Sequence, residues 1–148
     1  MFSTNEFVYD ESNLYVGMSC ILIIEKNNVG NNLKYLLGIL NSKFALNWFF
    51  QNGKKRGGGV DIGVDKLRTF PVINTSNQGK IQKIVDEIIQ LTNSKDYISN
   101  NQKQQAVKEY ENQIDILVYK LYDLTYDEVL VIDKDFSLSE EQYNNYNI

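Results

Sequence analysis

The chain has 148 residues, 43% hydrophobic and 23% charged, a composition that suits one globular domain able to bury a core without staples. It holds no histidine and a lone cysteine, Cys20, which removes the commonest general base and metal ligand, any internal disulfide and any cysteine zinc cluster. With a net charge of -4, no apolar run near the ~18 residues of a membrane span and no leader pattern at Met1 to Asp10, the chain reads as a reduced, cytoplasmic protein outside the membrane.

From the N-terminus, "FVYD" and "YVGMSCILII" are rich in β-branched and aromatic residues, and "DESN" between them supplies a turn. That pattern predicts a β-hairpin over residues 7–25. After the polar loop "KNNVGNN" the period becomes helical, with Leu33, Leu37, Leu40, Phe44 and Trp48 on one face of a helix that should end near Asn52 and Gly53. A glycine run follows. Residues 60–72 then alternate as one or two short strands, and Pro71, the only proline, suits a strand end because it cannot donate to a ladder.

The second half reads as helical. Thr75 and Gln78 match a capping box ahead of Ile81, Ile84, Ile88 and Leu91. After a polar linker, Val107, Tyr110, Ile114, Leu117 and Leu121 repeat at alternating spacings of three and four. Two such stripes predict an antiparallel helical hairpin whose main use is core packing. Thr125 and Glu128 form another capping box before a short helix, and residues 139–146 read as a polar tail with at most one more turn. The expected fold class is α+β: a small mixed sheet with a packed helix, then a helical hairpin and a short C-terminal helix. Residues 1–74 and 75–148 are its two parts, within one compact unit.

The charge is segregated. Between Lys43 and Arg68 lie six basic and two acidic residues, a net of +4, while the rest of the chain carries -8. The only two arginines, Arg56 and Arg68, fall in that basic segment. An acidic protein with one basic patch can still hold a phosphate backbone, because screening confines the attraction to ~8–10 Å.

At the centre of the patch stands "KKRGGG", residues 54–59. It is not a Walker loop, which needs a lysine followed by Ser or Thr after the glycines, nor a dinucleotide fingerprint, which must lie between a strand and a helix. Two acidic groupings near lysines, Asp61 and Asp65 with Lys66, and Glu128 and Asp133 with Lys134, lack the paired strand-borne carboxylates of a metal-assisted nuclease. What remains is a binding element or a plain solvated turn. As a binding element, Gly57, Gly58 and Gly59 would let the backbone approach a polyanion. Lys43, Lys54, Lys55 and Lys66 would attract phosphates, and Arg56 or Arg68 could fork onto a guanine edge.

Three stretches carry a resemblance: "LLGILNSK" (36–43), "LRTFPV" (67–72) and "IDILVYKLYDLTYDEV" (114–129). In this order and spacing, over roughly residues 7–132, the chain resembles the TaqI-like C-terminal specificity domain of type IIG restriction–modification enzymes and adenine-specific DNA methyltransferases. The resemblance implies a non-catalytic target-recognition domain that docks on double-stranded DNA beside a methyltransferase or restriction partner. Its helix at 33–50 would back the recognition surface. The loop at 53–59 and a strand through Arg68 would face DNA, and the helical hairpin would act as spacer and support. The catalytic Asn-Pro-Pro-Tyr-type motif is excluded by the single proline. S-adenosylmethionine and magnesium are therefore implied only for catalytic domains beyond this chain, which itself is expected to hold no cofactor and no metal. The alternative is a protein-interaction or self-association module that uses Ile114 and Leu117 as exposed stripe residues.

Overall fold

The structure, a computed structural model, describes residues 6–12, 14–17, 20–25, 32–75 and 78–147. The first helical stretch is two helices, α1 (Leu33–Leu40) and α2 (Lys43–Asn52), where the apolar period predicts one. Ser42 breaks it: its hydroxyl donates to the Ile39 carbonyl at 2.6 Å and accepts the Ala45 N–H at 3.2 Å. One side chain thus closes the end of α1 and caps the start of α2. A serine that competes with the helix ladder at a cap is the physical signal that apolar spacing alone does not register.

Beyond α2 the chain forms an antiparallel two-stranded sheet, β1 (Lys54–Arg56) and β2 (Gly59–Asp61), with Lys54 opposite Asp61, Lys55 opposite Val60 and Arg56 opposite Gly59. Gly57 and Gly58 make the two-residue turn, and Gly57 has φ of +59°, the left-handed conformation a tight hairpin requires at that position. The glycine run is therefore a hairpin turn in which Gly57 supplies the required φ. The strand expected at 60–72 stops at Asp61. Val64–Leu67 is a short helix, α3, and Arg68 is its C-cap residue. Leu67, Arg68 and Phe70 are tied back to residues 63–67 by local N–H···O=C bonds, which leaves that stretch no ladder to join.

Two tyrosines fix the connection to the second half. Tyr35 donates to the Ile73 carbonyl at 2.6 Å and Tyr122 to the Pro71 carbonyl at 2.5 Å, so α1 and the second half of the chain both grip the segment around Pro71. The helical hairpin follows as α4 (Gln78–Thr92) and α5 (Asn101–Leu121). The capping box read at Thr75 adjoins residues 76 and 77, which lie outside the described residues. Asn100 caps α5 by accepting the Gln102 and Lys103 N–H groups.

One core runs through both parts of the chain. Tyr35, Ile39 and Leu40 of α1, Ala45 and Phe49 of α2, Val60 of β2, Ile81 and Val85 of α4 and Ile114, Leu117 and Val118 of α5 are buried in a single cluster. Ile114 and Leu117 are only 5% and 4% exposed, so the stripe offered as an association surface is spent inside the molecule. A second cluster joins Tyr119 to Val129 of α6 (Tyr126–Ile132) and Tyr143 of α7 (Glu140–Asn144). The capping box of α6 forms as expected, with Thr125 and Glu128 bonded reciprocally. The C-terminal segment is more than a polar tail: Ser139 and Gln142 form a second capping box, and Tyr143 is buried with its hydroxyl on the Leu124 carbonyl.

The expected N-terminal hairpin is not formed among the described residues. Among the described residues of 6–25 there is no strand, and Val8, Leu14, Tyr15 and Ile24 are exposed. Strand propensity describes fitness for a half-buried pleated surface, and these residues find no neighbouring strand to create one. Phe7 is the exception. The Asn41 amide grips its backbone by two hydrogen bonds, and its ring packs 5.9 Å from Phe49.

The seat of the hairpin on α2 depends on Gly53. A Cβ there would lie 2.3 Å from Val60 Cγ2 and 2.8 Å from the Phe49 carbonyl oxygen. Gly53→Ala, outside the helix and so without a propensity gain, should cost roughly 1–3 kcal/mol in urea unfolding. An unchanged midpoint would show that the hairpin does not rest on α2 as described.

Candidate nucleic-acid interface

The hairpin projects its charge outward because of its register. Lys54, Lys55 and Arg56 on β1 are all exposed, while Gly59 and Val60 on the opposite strand are buried, Val60 packing on Gly53 and into the cluster that holds Phe49. β2 thus anchors the hairpin and β1 is its open edge. Among the described residues neither Lys54 nor Lys55 has an ion-pair partner. Arg56 does: its Nε lies 3.1 Å from Asp61 Oδ2 across the hairpin, with both side chains about half exposed. A half-exposed pair of this kind is worth little in stability, yet it holds the guanidinium on one side of the turn. Lysines on an open strand also discourage pairing with another chain, a structural use that requires no ligand.

The remaining basic residues divide. Lys66 and Arg68 lie on and just after α3, both exposed, with Arg68 3.8 Å from a fully exposed Asp65. Gly57 and Gly58 are exposed at the tip, whereas Gly59 is buried and its backbone belongs to the ladder. Lys43 stands apart at the first position of α2, a ten-residue helix about 15 Å long whose other end leads to β1.

Lys43 is engaged internally. Its ammonium lies 2.7 Å from Asp133 Oδ2 and 3.9 Å from Asp115 Oδ2, and its backbone N–H donates to Asp115 Oδ1 at 2.8 Å. Both carboxylates are buried, at 6% and 7% exposure, and the Tyr119 hydroxyl donates to Asp133 at 3.4 Å. Sequence reasoning missed this cluster. Its one signal was an acidic residue, Asp115, set against the apolar stripe of α5 with Val118 and Tyr119 one turn on. Asp133 therefore has a cation already, and Glu128 is consumed in its capping box. Among the described residues no group of three His, Cys, Asp or Glu could hold a metal ion. No described helix is long and apolar enough to cross a membrane.

A cleft of about 480 Å³ lies between α1, α4 and α5, walled by Leu37, Val85, Ile88 and Ile89 with Glu111 and Asp115 on its lining. Its lining is mostly apolar, and the cation on it, Lys43, is already paired with Asp115 and Asp133, so it is poorly suited to a phosphate. Burial pushes the Asp115 carboxyl up to about 7, outweighing the Lys43 backbone N–H and ammonium, while Asp133 and Glu111 push in the same direction as burial. A carboxyl raised from its ordinary value holds its proton more tightly when folded, so stability falls as pH rises from about 4 to about 7 and is flat above. Asp115→Asn should abolish that slope. Its stability relative to the parent should improve across this window by up to roughly 4 kcal/mol, at ~1.4 kcal/mol per pH unit. Parallel urea-unfolding profiles between pH 4 and 8 would contradict the assignment.

Two comparisons bear on this geometry. A family model described as the TaqI-like C-terminal specificity domain matches residues 2–72, the part that contains α1, α2, the hairpin and α3. The type II methyltransferase M.MjaIV of Methanocaldococcus jannaschii is 31% identical over 117 residues, which cover 77% of this chain and 35% of that protein. That alignment is longer than the segment matched by the family model, so the similarity is not confined to it. The chain spans about a third of this relative's length, and no solved structure matches it. Residues 2–72, just under half of the chain, are thus similar to the TaqI-like C-terminal specificity domain family.

Proposed function

We propose that the chain is the non-catalytic target-recognition part of a cytoplasmic restriction–modification enzyme, and that it positions a methyltransferase or endonuclease on double-stranded DNA. The observation that carries this reading is the β1–β2 hairpin. It puts three consecutive basic side chains on an exposed edge, two of them lysines without an ion-pair partner among the described residues, within the matched family segment. In this reading residues 1–74 meet the DNA and residues 75–148 support them. Lys54, Lys55 and Lys66 supply sequence-independent attraction to phosphates, the exposed Gly57 and Gly58 let the turn approach the backbone, and Gly59 keeps the turn in register. Arg56 and Arg68 are the candidates for a base edge, since a planar fork matches the O6 and N7 acceptors of guanine. Asp61 approaches the Arg56 guanidinium at its Nε, 3.1 Å away.

Catalysis and its cofactors belong to the partner in this account. The type II methyltransferase similar to this chain is about three times longer, which is consistent with further domains beside a segment of this kind. The association reading loses support, because Ile114 and Leu117 are core residues.

Affinity for duplex DNA as a function of salt tests the proposal. Lys54→Gln with Lys55→Gln should weaken binding evenly across sequences and flatten the salt slope by about 2, since each phosphate contact contributes roughly 0.9. Arg56→Ala and Arg68→Ala should each weaken binding to the cognate duplex. Loss of discrimination at one base pair, ~1–3 kcal/mol, marks base readout, and a uniform loss with a flatter slope marks a phosphate. Absence of binding to any duplex at low salt, with the methyltransferase partner supplied, would sink the proposal.

A further inference from the structure

The basic residue that the sequence groups with the hairpin, Lys43, lies at the opposite end of α2 from it. Three features of its setting decide what it does. Its charge is already answered by Asp133 at 2.7 Å and Asp115 at 3.9 Å, two carboxylates that are almost fully buried. It is about 15 Å of helix away from β1, beyond the screening length of exposed charges at physiological salt. And its two partners come from different elements: Asp115 from α5, and Asp133 as the C-cap residue of α6. The Lys43 backbone N–H, one of the donors left over at a helix start, is taken by the same Asp115.

Helix α2 is therefore a bar clamped at one end. At that end its backbone and its ammonium are held by the second half of the chain. At the other end Gly53 turns directly into β1, and Val60 of β2 packs back on Gly53 and Phe49. We propose that Lys43 is a positioning residue and not a DNA contact: its clamp on Asp115 and Asp133 sets the angle of α2 against α5 and α6 and so the placement of the basic hairpin. Burial makes the clamp specific. The Lys43 side chain itself is 41% exposed, but the two carboxyl groups it faces are dry, and removing their cation leaves them with a large desolvation cost, which favours this one arrangement. The inference about DNA affinity rests on the proposed recognition function, whereas the clamp itself can be read in the free protein.

The experiment uses the full chain and three variants: Lys43→Met, Lys43→Arg, and Lys43→Met combined with Asp115→Asn and Asp133→Asn. The last removes the buried charges and keeps the test open if the single variant fails to fold. Amide hydrogen exchange of the free protein is the first readout. Exchange of the α2 and hairpin amides, residues 46–61, should rise at least about tenfold in the methionine variants and return toward the parent in Lys43→Arg, with the central amides of α4 and α5 unchanged. The second readout is the salt dependence of duplex binding. The methionine variants should lose affinity by a similar factor at every salt concentration, with an unchanged slope. Unchanged exchange at the hairpin, or a rise spread evenly over α4 and α5, would overturn the clamp. A slope flattened by about 0.9 would overturn it in favour of a phosphate contact. If the parent chain binds no duplex at all, the recognition function fails while the exchange readout still decides the role of Lys43.

Discussion

Two acidic side chains, Asp115 on α5 and Asp133 at the end of α6, lie almost out of water and face one ammonium, that of Lys43. Charges in such a place are tolerated only when paired and hydrogen-bonded. The Lys43 backbone N–H and the Tyr119 hydroxyl supply the remaining bonds. Much of the molecule is arranged around this requirement. It fixes where α2 begins, with Ser42 as its cap. It brings α5 and α6 to the same helix end, and it joins the second aromatic cluster, around Tyr119 and Tyr143, to the main core. Phe44, one residue beyond Lys43, packs 4.1 Å from the Tyr122 ring and closes the same junction with apolar surface.

The fold class and the helical second half were legible in the sequence because they rest on period. Ile81, Ile114 and Leu117 sit on stripes of 3.6-residue spacing and are buried, and Thr125 with Glu128 announced α6 by its cap. What was not legible rests on interactions that period does not encode. Ser42 splits a continuous apolar pattern through two hydrogen bonds of one hydroxyl. Residues 7–25 carry strand composition, but a strand exists only beside another, and the described part of this segment forms no strand ladder. Residues 60–72 alternate like a strand and yet contain α3, where local N–H···O=C bonds prevail over a ladder without a partner.

The candidate site shows the same division. A glycine run after three basic residues was readable as an exposed turn, and the hairpin register explains why the charges point outward: β2 is the anchored strand. Sequence proximity was a poor guide to the company each charge keeps. Lys43 belongs to buried carboxylates, Arg56 shares Asp61, and Lys54, Lys55 and Lys66 have no ion-pair partner among the described residues. The net charge of -4 is therefore no obstacle to binding a polyanion, because the field that matters is local to β1 and its turn.

Proximity cross-linking decides whether the hairpin tip meets duplex DNA. Gly58 has open space where a side chain would stand, so Gly58→Cys in a Cys20→Ser background places a single reactive thiol at the tip. Val131, 75% exposed on α6, gives a control site in the same background. A short thiol-directed cross-linker should attach the residue 58 variant to cognate duplex, with little product from the residue 131 variant. Equal yields from the two sites, or no product from residue 58 under conditions where the duplex is bound, would contradict the account.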